Sequence, residues 1–248
     1  MLEDRIAIVT GAGRGIGRAI AVALAQQGAH VVVSDINLPN AQAVAAEVRA
    51  IGRQSFAMDT DVSSEAQAQQ LVNAALAHFA KIDILVNNAG VISTGPLLDT
   101  SVEVWDRTHA VNLKGVFLCT KAVFPTMIAR RQGRVINIAS VAGKRGGGFL
   151  GNSCYAASKG GVIAFTKGAA REGGPHNITV NAIAPAMIET DMIAAMPSAM
   201  RESLLHSIPL GRTGSAHDVA AAVCFLASDG AGFITGEIMD VDGGLMMD

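Results

Sequence analysis

Ile6-Ala7-Ile8-Val9-Thr10-Gly11-Ala12-Gly13-Arg14-Gly15-Ile16-Gly17 decides how this chain folds. Ile6–Thr10 is a short apolar, β-branched run, as expected of a strand buried on both faces. Glycines break it into a tight turn, and an Ala-rich helical pattern, Ile16–Gln27, follows at once. Gly11, Gly15 and Gly17 follow the spacing G-x-x-x-G-x-G, not the commoner G-x-G-x-x-G. Glycine lets the backbone approach a pyrophosphate, and the free N–H groups and dipole of a helix start hold its charge. Gly11, Arg14, Gly15, Ile16 and Gly17 are therefore candidate cofactor-binding residues. The bland alternative is a tight turn that needs glycine and binds nothing.

Reading outward, Asp35 ends the second strand, 18 residues after Gly17. A carboxylate near that spacing accepts hydrogen bonds from adenosine ribose hydroxyls and repels a 2′-phosphate. No Lys or Arg occurs from Ile36 to Glu47 to offset it. The charge argument selects NAD over NADP. Arg14 is the counter-argument, because a base in the turn could reach such a phosphate.

The same alternation continues along the chain. Strands are expected at Ile6–Thr10, His30–Ser34, Ser55–Met58, Ile84–Asn87, Val135–Ala139, Thr179–Ile183 and Ile238–Val241. Helices are expected at Ile16–Gln27, Ala41–Ala50, Glu65–Phe79, Val102–Ala129, Ala156–Glu172 and Ala216–Ala227. Ser64 with Gln67 and Thr100 with Glu103 fit the capping box, and Ser215 with Asp218 is an acidic variant of it. Strand and helix in alternation give the α/β class. The expected architecture is a single doubly wound Rossmann-type domain over residues 1–248, a mostly parallel seven-stranded sheet with helices on both faces.

Composition narrows the function. Half of the 248 residues are hydrophobic, and 19 Lys plus Arg against 21 Asp plus Glu leave a net charge of −2. That balance carries no electrostatic footprint for nucleic acid or an anionic membrane. No uninterrupted apolar run reaches the ~18 residues of a membrane span, and Met1-Leu2-Glu3-Asp4-Arg5 does not read as a signal peptide. Three cysteines, Cys119, Cys154 and Cys224, lack metal-ligand spacing and suit a reducing cytoplasm. No metal is expected.

Chemistry enters with Tyr155-Ala156-Ala157-Ser158-Lys159. The i, i+4 spacing puts phenol and ammonium on one helix face, where the lysine favours the phenolate. Tyr155 is the only tyrosine in the chain. The bland alternative is a surface pair of little worth.

Together with Thr10–Gly17, Asn87-Asn88-Ala89-Gly90, Asn112 and Ser140, this motif resembles the short-chain dehydrogenase/reductase family, end to end as far as Val241-Asp242-Gly243-Gly244. The resemblance implies that Tyr155 is the general acid/base and that Lys159 tunes it while bonding the nicotinamide ribose. It implies that Ser140 bonds the substrate oxygen and that Asn112 holds a proton-relay water. It places Asp61 and Val62 against adenine, Asn88, Ala89 and Gly90 along the cofactor groove, and Pro185, Ile188 and Thr190 by the nicotinamide. The reaction it implies interconverts a secondary alcohol and a ketone with NAD.

The chain also departs from the family pattern. Ala186 stands where glycine is usual. The interval from Ser140 to Tyr155 is two positions longer than usual, and the extra length falls in 144–151. Its glycines make a flexible loop beside the substrate, and Ser153 becomes a rival for the serine role. Lys144 and Arg145 there are either solvated or contacts for an anionic substrate. Residues 187–209 are the expected substrate lid, with Met192, Met196 and Met200 either a packing stripe or an adaptable pocket roof.

The general look is to polyol or sugar-alcohol dehydrogenases and to 3-oxoacyl carrier-protein reductases. The reductases mostly use NADPH and dock an acidic carrier through bases, one of which Arg131 resembles; His176 stands where a second is expected. Asp35 tips the expectation toward a small hydroxylated metabolite. A catalytically silent NAD-binding sensor is the remote alternative. The family's usual assembly, a homotetramer, is expected, with Val102–Ala129, Ala156–Glu172 and the apolar C-terminus at its interfaces.

Overall fold

The computed structural model describes residues 1–147, 151–189, 202 and 205–247. Its centre is a seven-stranded sheet in the order β3-β2-β1-β4-β5-β6-β7. The strands are β1 (Ile6–Thr10), β2 (His30–Asp35), β3 (Ser55–Asp59), β4 (Ile84–Asn87), β5 (Gly133–Ile138), β6 (Ile178–Pro185) and β7 (Ile238–Val241). Every adjacent pair is parallel. The continuous apolar runs have the predicted cause: β1, β4, β5 and β6 are buried along their whole length. β5 starts two residues earlier than expected, because Gly133 and Arg134 join the ladder with β6.

The helices are α1 (Gly15–Gln26), α2 (Leu38–Ala50), α3 (Glu65–Phe79), α4 (Val102–His109), α5 (Gly115–Arg130), α6 (Val141–Arg145), α7 (Ser153–Gly173) and α8 (Ala216–Ala227). Alternate strand residues feed two cores. Val9, Val33 and Ile84 pack against Ile20, Leu24 and Val44 of α1 and α2 and Val219 and Val223 of α8. Ile8, Val32, Leu85 and Val135 pack on the other face against Leu71 of α3 and Leu118, Val123 and Met127 of α5. The cysteines are free and buried; burial pushes the Cys119 thiol in the second core up to about 12 and the Cys224 thiol in the first up to about 11.

Three readings are corrected. The expected helix Val102–Ala129 is two α-helices joined by a π-helical segment, Ala110–Lys114. This helical run, Val102–Arg130, is long and apolar enough by composition to cross a membrane, yet its Leu118, Cys119, Val123 and Met127 lie inside the fold's own core. The α4 cap is Ser101, which accepts from the Val104 N–H at 3.4 Å; Thr100 instead donates to the Pro96 carbonyl at 3.1 Å. Gln67 does not close a box with Ser64, because its side-chain oxygen accepts from the Asp61 N–H at 2.7 Å. Ser215 and Asp218 form the full reciprocal box on α8.

Strand order reverses between β1 and β4, whose C-terminal ends open a crevice. A buried amide ladder stiffens its floor. Asn87 Nδ2 donates to Asn137 Oδ1 at 2.9 Å and Thr120 Oγ1 at 3.1 Å, and Asn137 Nδ2 donates to Thr166 Oγ1 at 2.9 Å.

Candidate active site

The glycine turn sits on the β1 side of the crevice. Gly11 (φ +61°) and Gly15 (φ +55°) adopt left-handed backbone that L side chains rarely take. A Cβ on Gly17 would strike the Gly11 carbonyl, whereas one on Gly15 would meet only open space. Asn88 Nδ2 holds the turn shut by donating to the Thr10 and Gly11 carbonyls, each at 2.9 Å. No side chain caps α1 at Arg14, unlike α2, α3, α4, α7 and α8. Its first N–H groups are therefore left for a ligand anion.

A cavity of about 370 Å³ runs beside this turn, lined by Gly11, Arg14, Gly15, Ile16, Gly17, Asp35, Asp61, Val62, Asn88, Ala89 and Gly90. Sequence reasoning missed Thr60, Val91, Arg107 and Val111, which line it too and carry no motif. Asp35 Oδ2 accepts from the Gly13 N–H at 2.8 Å and Oδ1 from the Asn37 N–H at 2.9 Å. Those bonds fix the carboxylate and leave it further lone pairs for hydroxyl donors. Asp61 binds the Ser63 hydroxyl at 2.6 Å, which with the Ser63 N–H keeps its carboxyl below the usual range. Arg14 is exposed and makes no hydrogen bond or ion pair among the described residues. An open glycine cradle, uncapped amides and a fixed carboxylate fit the pyrophosphate and ribose of a dinucleotide.

A second cavity, about 530 Å³, shares Arg14, Ile16, Asn88, Gly90 and Val91 with the first. It is lined by Ser140, Tyr155, Lys159, Pro185 and Ile188 together with Val91, Ile92, Val141, Ala142 and Met187, so its wall is mainly apolar. Three elements converge there. β5 ends at Ile138, and Ser140 two residues on caps α6 by accepting from the Ala142 N–H at 3.1 Å. Asn152 caps α7, accepting from the Tyr155 N–H at 3.1 Å. The Ser140 hydroxyl stands near enough to the Tyr155 side chain to favour its phenolate. Ser153 is exposed on the first turn of α7 and absent from the cavity wall, so geometry favours Ser140 over its rival.

The expected Lys159 effect on Tyr155 is corrected. Lys159 Nζ lies 6.0 Å from the Tyr155 ring centroid and donates to the Ile138 carbonyl at 2.7 Å. Burial pulls its pKa down to about 8. Burial also raises the Tyr155 pKa, and the neighbouring Ser140 hydroxyl only partly opposes it. Without ligand, Tyr155 is a phenol suited to giving a proton.

Asn112, inside the π segment, is fully buried. Its Oδ1 accepts from the Val91 N–H at 2.8 Å, and its Nδ2 donates to the Val91 carbonyl at 2.8 Å and Ser158 Oγ at 3.0 Å. Both amide hydrogens are spent on structure. Asn87 belongs to the buried ladder and does not reach either cavity.

Residues 148–150 of the inserted loop lie outside the described residues, and its two ends are packed. Lys144 pairs with Asp240 at 2.6 Å, both largely buried, so it is not a solvated base. Arg145 lines the second cavity. A Cβ on Gly151 would collide with the Tyr155 ring, so this glycine is a packing requirement rather than a flexible joint. Ala186 has no positive φ, and alanine replaces glycine there without strain. Thr190, Met192, Met196, Met200 and most of the expected lid lie outside the described residues. Arg131 ends α5 at the opposite end of β5 from the cavity, bonded to the Pro175 carbonyl at 3.1 Å. Among the described residues no cluster of three His, Cys, Asp or Glu side chains could hold a metal.

Comparison with known proteins agrees with this geometry. The family model described as enoyl-(acyl carrier protein) reductase matches residues 11–246. The chain is 41% identical to a 3-oxoacyl-(acyl-carrier-protein) reductase FabG of Staphylococcus epidermidis, covering 98% of this chain and all of that one. It is 44% identical to a 3-oxoacyl-(acyl-carrier-protein) reductase of Synechocystis sp., covering 99% and 98%. The crystal structure of a levodione reductase superposes with a TM-score of 0.92 at 36% identity, over 98% of both chains. A crevice built for a nicotinamide dinucleotide, relatives matched end to end and a shared fold make the chain an oxidoreductase of the short-chain dehydrogenase/reductase family.

Proposed function

We infer that the chain reduces a ketone with an apolar body, foremost a 3-oxoacyl thioester, using NADH. The observation that carries this reading is that Ser140, Tyr155 and Lys159 line one mainly apolar cavity. A polyol needs several polar partners, and this wall supplies few, so the reading turns away from the small hydroxylated metabolite that Asp35 first suggested. The relatives named as 3-oxoacyl reductases support the same choice.

When bound, the nicotinamide supplies the hydride. Tyr155 gives its proton to the carbonyl oxygen, breaking the phenol O–H as the alcohol O–H forms. The Ser140 hydroxyl donates to the same oxygen while charge develops on it. The Lys159 ammonium, within 6.0 Å of the ring, lowers the cost of the phenolate that remains until a solvent proton restores it. A relay from Asn112 runs through its main chain, since its side-chain donors are committed. Asp35 selects NADH by its fixed charge, and Arg14 serves the pyrophosphate. Asp61 and Val62 flank the adenine; Pro185, Ile188 and Thr190 flank the nicotinamide.

One catalytic domain spans the chain, with 187–209 as its lid. It works in the cytoplasm as a homotetramer; exposed Val102, Val104 and Trp105 on α4 and Phe117 on α5 offer an apolar interface. Sedimentation at the tetramer mass checks the assembly.

The test measures reduced-cofactor absorbance with a 3-oxoacyl thioester, against NAD oxidation of a polyol panel. We expect kcat/KM for the thioester to exceed every polyol at least ~10-fold, and NADH to exceed NADPH with a gap that Asp35→Ser narrows. Preferential polyol turnover overturns the substrate, an NADPH preference overturns the cofactor, and cofactor binding with no turnover supports the silent sensor.

A further inference from the structure

One buried charge pair lines neither of the two cavities just described. Lys144 Nζ lies 2.6 Å from Asp240 Oδ2, with only 15% and 16% of the two side chains exposed. The partners are 96 residues apart and belong to different elements, the last turn of α6 and the edge strand β7. Burying two charges is costly unless they meet well, so this pair is a poor way to add stability and a good way to fix a geometry.

α6 has particular need of fixing. At five residues it is far shorter than a helix that holds itself in water. It leaves β5, while Asp240 stands beside Ala184 of β6 on the second strand over. Strands two apart are separated by ~10 Å, so α6 has to lean across β6 for a lysine to reach the carboxylate. Its other anchors lie elsewhere. Ser140 caps its start. Gly143 lies so close to α7 that an added Cβ would sit 2.7 Å from the Lys159 carbonyl carbon and the Gly160 nitrogen. These contacts, with Val141 buried among Val162, Ala182, Ala184 and Ile238, seat the start of α6, and the Lys144–Asp240 pair ties down its last turn.

We propose that Asp240 and Lys144 are positioning residues: their buried ion pair clamps α6 over β6 and β7 and so holds the Ser140 hydroxyl against Tyr155. This rests on the proposed roles of Ser140 and Tyr155. The pair itself does not touch the reacting groups, and Asp240 is absent from the wall of the second cavity.

The experiment reads the clamp in two independent ways. The first is the near-ultraviolet titration of Tyr155 in the ligand-free enzyme, where no other tyrosine interferes. The nearby Ser140 hydroxyl lowers the Tyr155 pKa, so Asp240→Asn and Lys144→Met should each raise the midpoint in the direction of Ser140→Ala. The second is steady-state reduction of a 3-oxoacyl thioester. Each variant should lose kcat by ~10-fold or more with the KM for NADH unchanged, and the double variant should be no worse than either single one. Thermal melts of both variants separate misfolding from misplacement, and two variants made from opposite ends of the pair guard against one failing to fold. Folded variants with wild-type midpoint and kcat overturn the clamp. If Ser140→Ala itself keeps full activity, the proposed function fails on its own, while the titration still decides whether Asp240 places that hydroxyl.

Discussion

At the level of single residues, Lys159 carries the largest conflict between folding and function. The folded protein holds its ammonium fully buried, with the Ile138 carbonyl as hydrogen-bond partner, and its pKa falls from 10.5 to about 8. At about 1.4 kcal/mol per unit, the charged form costs the folded state ~3 kcal/mol below pH 8. Between pH 8 and 10.5 the unfolded chain keeps a proton that the folded chain has lost, so stability rises with pH across that window. Lys159→Met is expected to remove this slope in urea midpoints measured from pH 7.5 to 10, to raise the midpoint at pH 7.5, and to abolish turnover. An unchanged slope would place its origin elsewhere. The Tyr155–Lys159 spacing was legible because it lies within one helix. Three things were not legible. The lysine's acceptor is a main-chain carbonyl, which leaves no side-chain trace. The partner of Lys144 comes 96 residues later. The sign of the Tyr155 shift depends on burial, which spacing along a helix does not report.

Elements differ in how clearly they announce themselves. Central strands were legible because burial on both faces leaves mainly apolar, often β-branched residues, and Glu65–Phe79 and Ala216–Ala227 match their predicted bounds. The π segment Ala110–Lys114 was not, since its residues, Ala-Val-Asn-Leu-Lys, include no glycine or proline to mark a change of helix type. α6 is too short to show a period. The glycine turn permits a sharper test of element geometry. Gly17→Ala sets a methyl against the Gly11 carbonyl, with the Ala12 Cα 2.9 Å away, so backbone must move. Gly15→Ala meets open space and only the left-handed φ opposes it, at ~1 kcal/mol. Thermal melts should therefore show a small loss for Gly15→Ala and a several-fold larger one for Gly17→Ala. Titration with NADH fluorescence should show weakened binding in both, because the Gly15 methyl projects into the groove. Equal losses of stability would mean that the turn adapts more freely than its contacts allow.

Across the whole molecule, alternation of strand and helix made the parallel, doubly wound plan legible, while the order of strands is set by packing that no local pattern records. The Asn87–Asn137–Thr166 ladder joins β4, β5 and α7 through buried polar groups. Asn137→Ala leaves the Asn87 amide short of an acceptor, and we expect a loss of ~2–4 kcal/mol, read as a lower urea midpoint with unchanged m. A loss below ~0.5 kcal/mol would show that the ladder is not a structural tie. Besides Cys154 at the start of α7, the two faces of the sheet each hold a thiol in their core, Cys224 behind α1 and Cys119 beneath α3. Burial pushes both thiols up, to about 11 and about 12. An alkylating reagent therefore modifies each only after its own layer has opened. Mass spectrometry of the two cysteine peptides turns them into separate clocks for the two faces of one sheet. Equal labelling rates would mean that the faces come apart together; a faster Cys224 or Cys119 would name the side on which unfolding begins.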